Sequence, residues 1–190
     1  MTSPRVWMFL VKTNNRTFGG NLGYDDTIYN TYQWDDTVPN YNKVKVGDIV
    51  VLRDGKASVG ISVINSIQIN EAQSKIRRRC PFCNSTKIYE RTSFSPEFKC
   101  QDKKCLKEFG ANEVIIQNIP ITKFKANYSN GWLDLIGRVS VKGIKDISIS
   151  SGSQHSIRLL SWDKLKTYLD DYEIESISKT RELILSSLPG

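Results

Sequence analysis

The stretch Gly47–Ile64, GDIVVLRDGKASVGISVI, reads as a β-hairpin, and it decides the fold class. Ile49–Leu52 is an apolar, mostly β-branched run of strand length. Asp54-Gly55 is a turn pair able to take the positive φ angles that tight hairpin loops require. Ser58 to Ile69 alternates apolar and polar side chains, the period of a half-buried strand, and predicts one long strand. Gly60 within it leaves room for a bulge or for the close approach of another group.

Toward the N-terminus, Arg5–Val11 (RVWMFLV) has the length and aromatic content of a buried first strand. Asn14, Asn15, Gly19, Gly20, Asn21 and Gly23 then break any regular element. Tyr24–Tyr41 is crowded with rings and acids: Tyr24, Asp25, Asp26, Tyr29, Tyr32, Trp34, Asp35, Asp36 and Tyr41. They recur with no clean period, which predicts an irregular loop holding at most a helical turn over Ile28–Tyr32. A carboxylate taken out of water needs a partner, so a loop that gathers this many rings and acids reads as one wall of a pocket.

Toward the C-terminus the β pattern resumes at Asn112–Ile121, again at Trp132–Val141, and in His155–Leu160. Ser161 is placed to cap a helix with Trp162, Leu165, Tyr168 and Leu169 on one face. A last helix is expected from about Ile174 to Leu188. About six strands with few helices predict an α+β fold, a small mixed β-barrel with flanking helices.

A chain of 190 residues with 39% hydrophobic content suits one domain spanning 1–190, with an insertion at 74–110 where the cysteines interrupt the strands. No apolar run approaches the ~20 residues needed to cross a bilayer. VWMFLV is short for a signal peptide and lacks a small-residue cleavage site. No membrane association and a cytoplasmic location are expected. The net charge of +7 is concentrated in residues 71–110, where ten cationic side chains face five acidic ones, while each flanking part has a net charge of +1. A basic segment of this kind is a footprint for a polyanion, most often nucleic acid.

All the cysteines lie between positions 80 and 105, as Cys80-Pro-Phe-Cys83 and Cys100-Gln-Asp-Lys-Lys-Cys105. Two close pairs separated by a foldable loop match a tetrahedral thiolate zinc site. Four thiolates leave no open coordination position, so such a zinc is structural. Two disulfides, or a redox CxxC pair, are the competing readings. Arg77, Arg78 and Arg79 just before the first ligand, with Lys87 and Arg91 after it, are candidates for phosphate contact. His155 and Arg158, which follow a Ser/Gly loop, join them.

Enzyme patterns are thin. One histidine rules out a multi-histidine metal centre, and the Glu-bearing signature of a zinc deaminase is absent. The pairs Asp25-Asp26 and Asp35-Asp36 leave a metal-dependent nuclease as a reading to be weighed. Trp7 and Trp162 read as core.

Three segments, TYQWDDTVPNYNKVKVGD (31–48), DIVVLRDGKASVGISVI (48–64) and HSIRLLSWDKL (155–165), together resemble the PUA-like superfamily, especially its EVE, YTH and SRA-like members. The resemblance covers most of residues 5–170 but not the cysteine segment, and its motifs are loose. It implies a barrel that holds a flipped, modified nucleobase between aromatic walls in double-stranded DNA. It also implies a place in a modification-dependent restriction system, beside a nuclease or motor subunit. Carried onto this chain, Tyr29, Tyr32, Trp34 and Trp132 become pocket walls, and Asp35 or Asp36 an acceptor for an exocyclic amine. An RNA-binding PUA-like module is the alternative that the same resemblance allows.

Overall fold

The computed structural model describes residues 4–11, 24, 26–153 and 155–189. Asp25 and the glycine-rich run 12–23 lie outside the described residues. The chain divides into two compact units, the first made of residues 1–14, 25–71 and 122–190, the second of residues 15–24 and 72–121. In chain order the strands and helices are β1 (Val6–Leu10), β2 (Thr31–Asp35), β3 (Ile49–Arg53), β4 (Ser58–Val63), β5 (Ser66–Arg79), β6 (Ile88–Glu90), β7 (Phe98–Cys100), β8 (Glu108–Phe109), β9 (Ile115–Asn127), β10 (Leu133–Asp134), α1 (Val141–Ile147), β11 (Ile157–Leu160), α2 (Trp162–Lys166) and α3 (Asp171–Ser186).

The first unit is organised on a five-stranded sheet in the order β10-β4-β3-β1-β11, in which β1 runs parallel to β3 and the other neighbours are antiparallel. All of β3 is buried, the pattern of a strand covered on both faces. On one face Val6, Met8, Ile49, Val51, Ile61, Val63 and Leu160 meet Ile144 and Ile147 of α1, Leu165 of α2 and Ile177 of α3. On the other, Trp7, Phe9, Val50, Leu52 and Ile157 meet Tyr32 and Trp34 of β2 and Ala126 and Tyr128. β2 pairs antiparallel with β9, from Thr31 opposite Asn127 to Asp35 opposite Lys123, in a three-stranded sheet ordered β2-β9-β5.

The result is a mixed α+β fold, mostly sheet with few helices. The expected closed barrel is not formed: among the described residues the strands fall into separate sheets, and the five-stranded one ends at β10 and β11. The β3–β4 hairpin is where the sequence placed it. Asp54 Oδ1 accepts from Lys56 N at 2.6 Å and Ala57 N at 2.9 Å, closing the turn.

The predicted strand 58–69 is broken after Val63. Ile64 N bonds Asp48 O and Asn65 N bonds Asn127 O, so the chain leaves one sheet and enters the other here. Alternation continues unchanged through such a switch and cannot reveal it. Of Trp132–Val141, only Leu133–Asp134 is strand; Ser140 Oγ then accepts from Gly143 N and starts α1. The last helix begins earlier than Ile174, because Asp170 and Glu173 form a capping box ahead of Asp171.

The second unit carries the sheet β6-β7-β8 and a small core of Cys80, Phe98, Cys100 and Phe109. Among the described residues no helix is long and apolar enough to cross a membrane.

Candidate functional site

The aromatic stretch expected to wall a pocket is instead part of the core. Residues 31–35 are the strand β2, and Tyr32, Trp34 and Asp35 each have 0% exposure. Trp34 stacks on Phe124 with ring centroids 5.5 Å apart, and its Nε1 donates to Tyr41 O at 3.0 Å. Tyr32 stacks on Phe9 at 4.3 Å. The acids are satisfied within the protein: Asp26 accepts from Gln33 N at 2.8 Å, Asp35 from Thr37 N at 2.9 Å, and Asp36, across the sheet, from Thr122 N at 3.0 Å. Short carboxylates next to turns take up backbone N–H groups, which is how so many acids are held without a ligand. The assignment of Tyr32, Trp34 and Asp35 to a ligand pocket is corrected accordingly; Asp36 is half-buried, with one carboxylate oxygen taken by Thr122 N.

Tyr29 and Trp132 are brought together elsewhere, edge to face at 5.2 Å, with Tyr128 stacked on Trp132 at 6.2 Å. Trp132 lies across Gly60, where an added Cβ would come within 2.1 Å of the indole ring. The glycine is thus a seat for the tryptophan. Gly60→Ala is expected to lower stability by about 1–3 kcal/mol through overpacking and to shift the tryptophan fluorescence. A urea midpoint equal to that of the native protein would show that Trp132 does not rest there.

A cleft of about 330 Å³ opens in the first unit, lined by Trp7, Asn40, Lys43, Ile149, Ser150, Ser153, His155, Arg158 and Leu159. Trp7, only 2% exposed, forms its floor. The indole is locked by Asp48, which accepts from Trp7 Nε1 at 2.8 Å, Lys45 N at 2.8 Å and Arg5 Nη2 at 3.0 Å. Asn40, at φ +68°, spans toward β11 and donates from Nδ2 to Ile157 O at 3.1 Å. Arg158 Nε donates to His155 O at 2.9 Å, and burial holds the Arg158 guanidinium below its usual pKa. The lining therefore joins one aromatic floor to hydroxyl, amide and cationic groups and contains no carboxylate.

Comparison with protein-family models, with curated proteins and with solved structures returned no match.

His155 and Arg158 were legible as candidates, and both line the cleft. The sequence assigned Trp7 to the core, where it lies, and did not single out Asn40, Ser150 or Ser153. The signal available for Trp7 was Asp48 beside the strand Ile49–Leu52, a buried acid that needs a donor.

In the second unit, one sulfur from each of Cys80, Cys83, Cys100 and Cys105 lies within 4.8 Å of the others. Cys80 and Cys105 are 3.8 Å apart, and Cys83 and Cys100 are 3.6 Å apart. A disulfide requires about 2.05 Å, and all four are free cysteines. The spacing suits one shared metal ion. Each pair sits on a knuckle: Asn84 N returns to Cys80 O, and Leu106 N to Asp102 O, with Asn84 and Leu106 at φ +60° and +52°. Left as thiols, the group is unevenly tuned. Burial pushes Cys100 up to about 12. At Cys80 burial is outweighed by the N–H groups of Phe82 and Cys83, which hold it below the ordinary thiol value.

The basic residues of this unit divide by occupation. Arg78 pairs with Glu90 at 3.3 Å, Arg91 with Glu108 at 2.8 Å, and Arg79 donates to Gln117 and to Asn84 O, each at 2.9 Å. These three are occupied within the unit. Among the described residues, the side chains of Arg77 and Lys87, like those of Lys103 and Lys104, make no ion pair or hydrogen bond and are available to a phosphate.

Proposed function

We propose that this chain is a DNA-binding specificity domain that takes a flipped, modified base into the Trp7 cleft and belongs to a modification-dependent restriction system in the cytoplasm. On this reading the resemblance to PUA-like domains holds in function, while the pocket lies at β1 and β11 instead of at Trp34. The observation that carries it is the lining: Asn40, Ser150 and Ser153, with Lys43, His155 and Arg158 at hand, around a cleft closed on its inner side by the buried Trp7. Ligand pockets run from about 300 to 1,000 Å³; this one, at the low end, suits a single base. Hydrogen bonds to a base edge repay unstacking costs of a few kcal/mol only with help from phosphate contacts, for which Lys43 and Arg158 line the cleft itself. Binding is the chain's own work, and cleavage or translocation belongs to a partner subunit.

The four cysteines hold zinc in this proposal. Zinc–thiolate bonds of ~2.3 Å in a tetrahedron give sulfur–sulfur edges of about 3.8 Å, and the two closest pairs here measure 3.6 and 3.8 Å. With all four positions taken, the zinc is structural.

The test is a binding panel of one sequence as methylated duplex, plain duplex and RNA, measured with the native protein and with Ser150→Trp. Ser150 is an exposed lining residue, so a bulky replacement fills the cleft without entering the core. Preference for the methylated duplex is expected in the native protein and its loss, by tenfold or more in relative affinity, in the variant; one hydrogen-bonded or stacked contact is worth about that factor. Tighter binding to RNA would replace the DNA reading by the RNA-binding one. Equal affinity for both duplexes would remove base reading altogether.

A further inference from the structure

Arg53 and Arg158 stand on one face of the five-stranded sheet without a counter-ion. Arg53 ends β3 opposite Leu10 of β1, and Arg158 lies on β11 opposite Met8. Side chains alternate along a strand, so both arginines share the face of Val6, Met8, Ile49, Val51 and Leu160. They are 9% and 7% exposed. Arg53 Nη1 donates to Asp54 O at 2.8 Å, but its buried Nε has no partner.

Among the described residues neither guanidinium makes an ion pair. Asp54, the carboxylate that acts on Arg53 from a distance, has its Oδ1 committed to the N–H groups of Lys56 and Ala57. Burial first, and then the Arg158 charge, hold Arg53 below the usual arginine value.

A buried charge without a partner is costly, and a second of the same sign beside it adds to the cost. Such an arrangement becomes favourable when a ligand supplies the opposite charge. Arg158 is among the residues that line the cleft, where Lys43 adds positive charge and no acid lines the wall. The guanidinium fork matches the oxygens of a phosphate.

We propose that Arg158, backed by the buried charge of Arg53, is a phosphate-binding site at the cleft. The bound group is a phosphate ester that accepts hydrogen bonds from Arg158. The inference rests on the base-reading function for its natural ligand, a nucleotide phosphate, and its probe is chosen to be independent of that function.

The test follows thermal unfolding of the full chain in millimolar inorganic phosphate, against chloride of equal ionic strength. Phosphate is expected to raise the Tm of the native protein, and Arg158→Met to weaken phosphate binding by about tenfold or more, the worth of one charge-assisted hydrogen bond. Arg53→Met keeps the aliphatic stem while removing the buried charge. It is expected to unfold at or above the native temperature without phosphate and to lose the phosphate response. A dinucleoside monophosphate and its uncharged methylphosphonate counterpart separate an internal phosphodiester from a free phosphate: stronger binding of the charged form assigns the site to a diester, and equal, weak binding of both beside a clear phosphate effect assigns it to a free or terminal phosphate.

No phosphate effect in the native protein, or an undiminished effect in both variants, would overturn the site. If a modified nucleoside binds while phosphate has no effect, the phosphate site fails and base reading stands. A phosphate effect without any preference for modified DNA leaves the phosphate site standing and removes base reading.

Discussion

Chelating the zinc proposed at Cys80, Cys83, Cys100 and Cys105 is expected to unfold the second unit while the first unit stays folded. The second unit has little else to hold it. Its buried core consists of Phe98 and Phe109 with two of the cysteines, and a fully buried large apolar side chain contributes about 1.5–3 kcal/mol. Ordering the backbone costs about 1–2 kcal/mol per residue, so two phenylalanines do not balance even one short strand and its turns. A structural zinc supplies about 10–16 kcal/mol of apparent binding free energy in small zinc-dependent folds. On the proposed zinc site, the metal would contribute most of what keeps this unit folded. The first unit has two apolar clusters of its own and needs no such help.

Two measurements check this. Elemental analysis should find one zinc per native chain and none in Cys100→Ser, whose side chain is fully buried among the ligands. Limited proteolysis after chelation, or of Cys100→Ser, should cut within residues 72–121 and leave the first unit protected. A chain that contains no metal as purified and resists proteolysis in that segment would remove the metal centre. Iron in place of zinc would keep the centre and change its chemistry.

What the sequence disclosed, and what it concealed, follows from the range of the interactions involved. The hairpin at Asp54-Gly55 and the helix start at Ser161 were legible because their causes lie within a few residues. The cysteine cluster was legible because ligand spacing is itself local. The misreading of Tyr24–Tyr41 had a physical origin: β2 is a strand through pairing with Lys123–Asn127, some ninety residues away, and Trp34 is buried because Phe124 stacks on it and Phe9 packs beside it at a tilt. Neither partner is visible in a local window. The acids there misled in the same way, since Asp36 is satisfied by Thr122 across the sheet. The cleft was hidden for a third reason. It is assembled from β1, the segment at Asn40–Lys43 and the loop before β11, which meet only because β1 sits beside β11 in the sheet.

Asp48→Ala is expected to be among the most damaging single changes in the first unit. The carboxylate is 5% exposed and serves three donors, Trp7 Nε1, Lys45 N and the Arg5 guanidinium. Their contributions differ. Arg5 has a side chain 42% exposed and turns to water when its partner is lost, so this ion pair carries at most ~1 kcal/mol. Trp7 Nε1 cannot do the same, because its ring is packed with Phe9 and Val11 in the apolar cluster. Leaving a buried donor unsatisfied costs about 1–3 kcal/mol, and the Lys45 N–H that closes the turn into β3 adds a similar amount. The expected loss is about 3–5 kcal/mol in urea unfolding, in line with removal of one partner from a buried charged network. Arg5→Ala, by contrast, should cost no more than about 1 kcal/mol. Asp48→Asn, which keeps one acceptor oxygen, should fall between them. Because Asp48 fixes the ring that floors the cleft, Asp48→Asn is also expected to weaken base binding while the chain remains folded. Equal costs for Arg5→Ala and Asp48→Ala would show that the surface ion pair, and not the Trp7 hydrogen bond, is what Asp48 contributes.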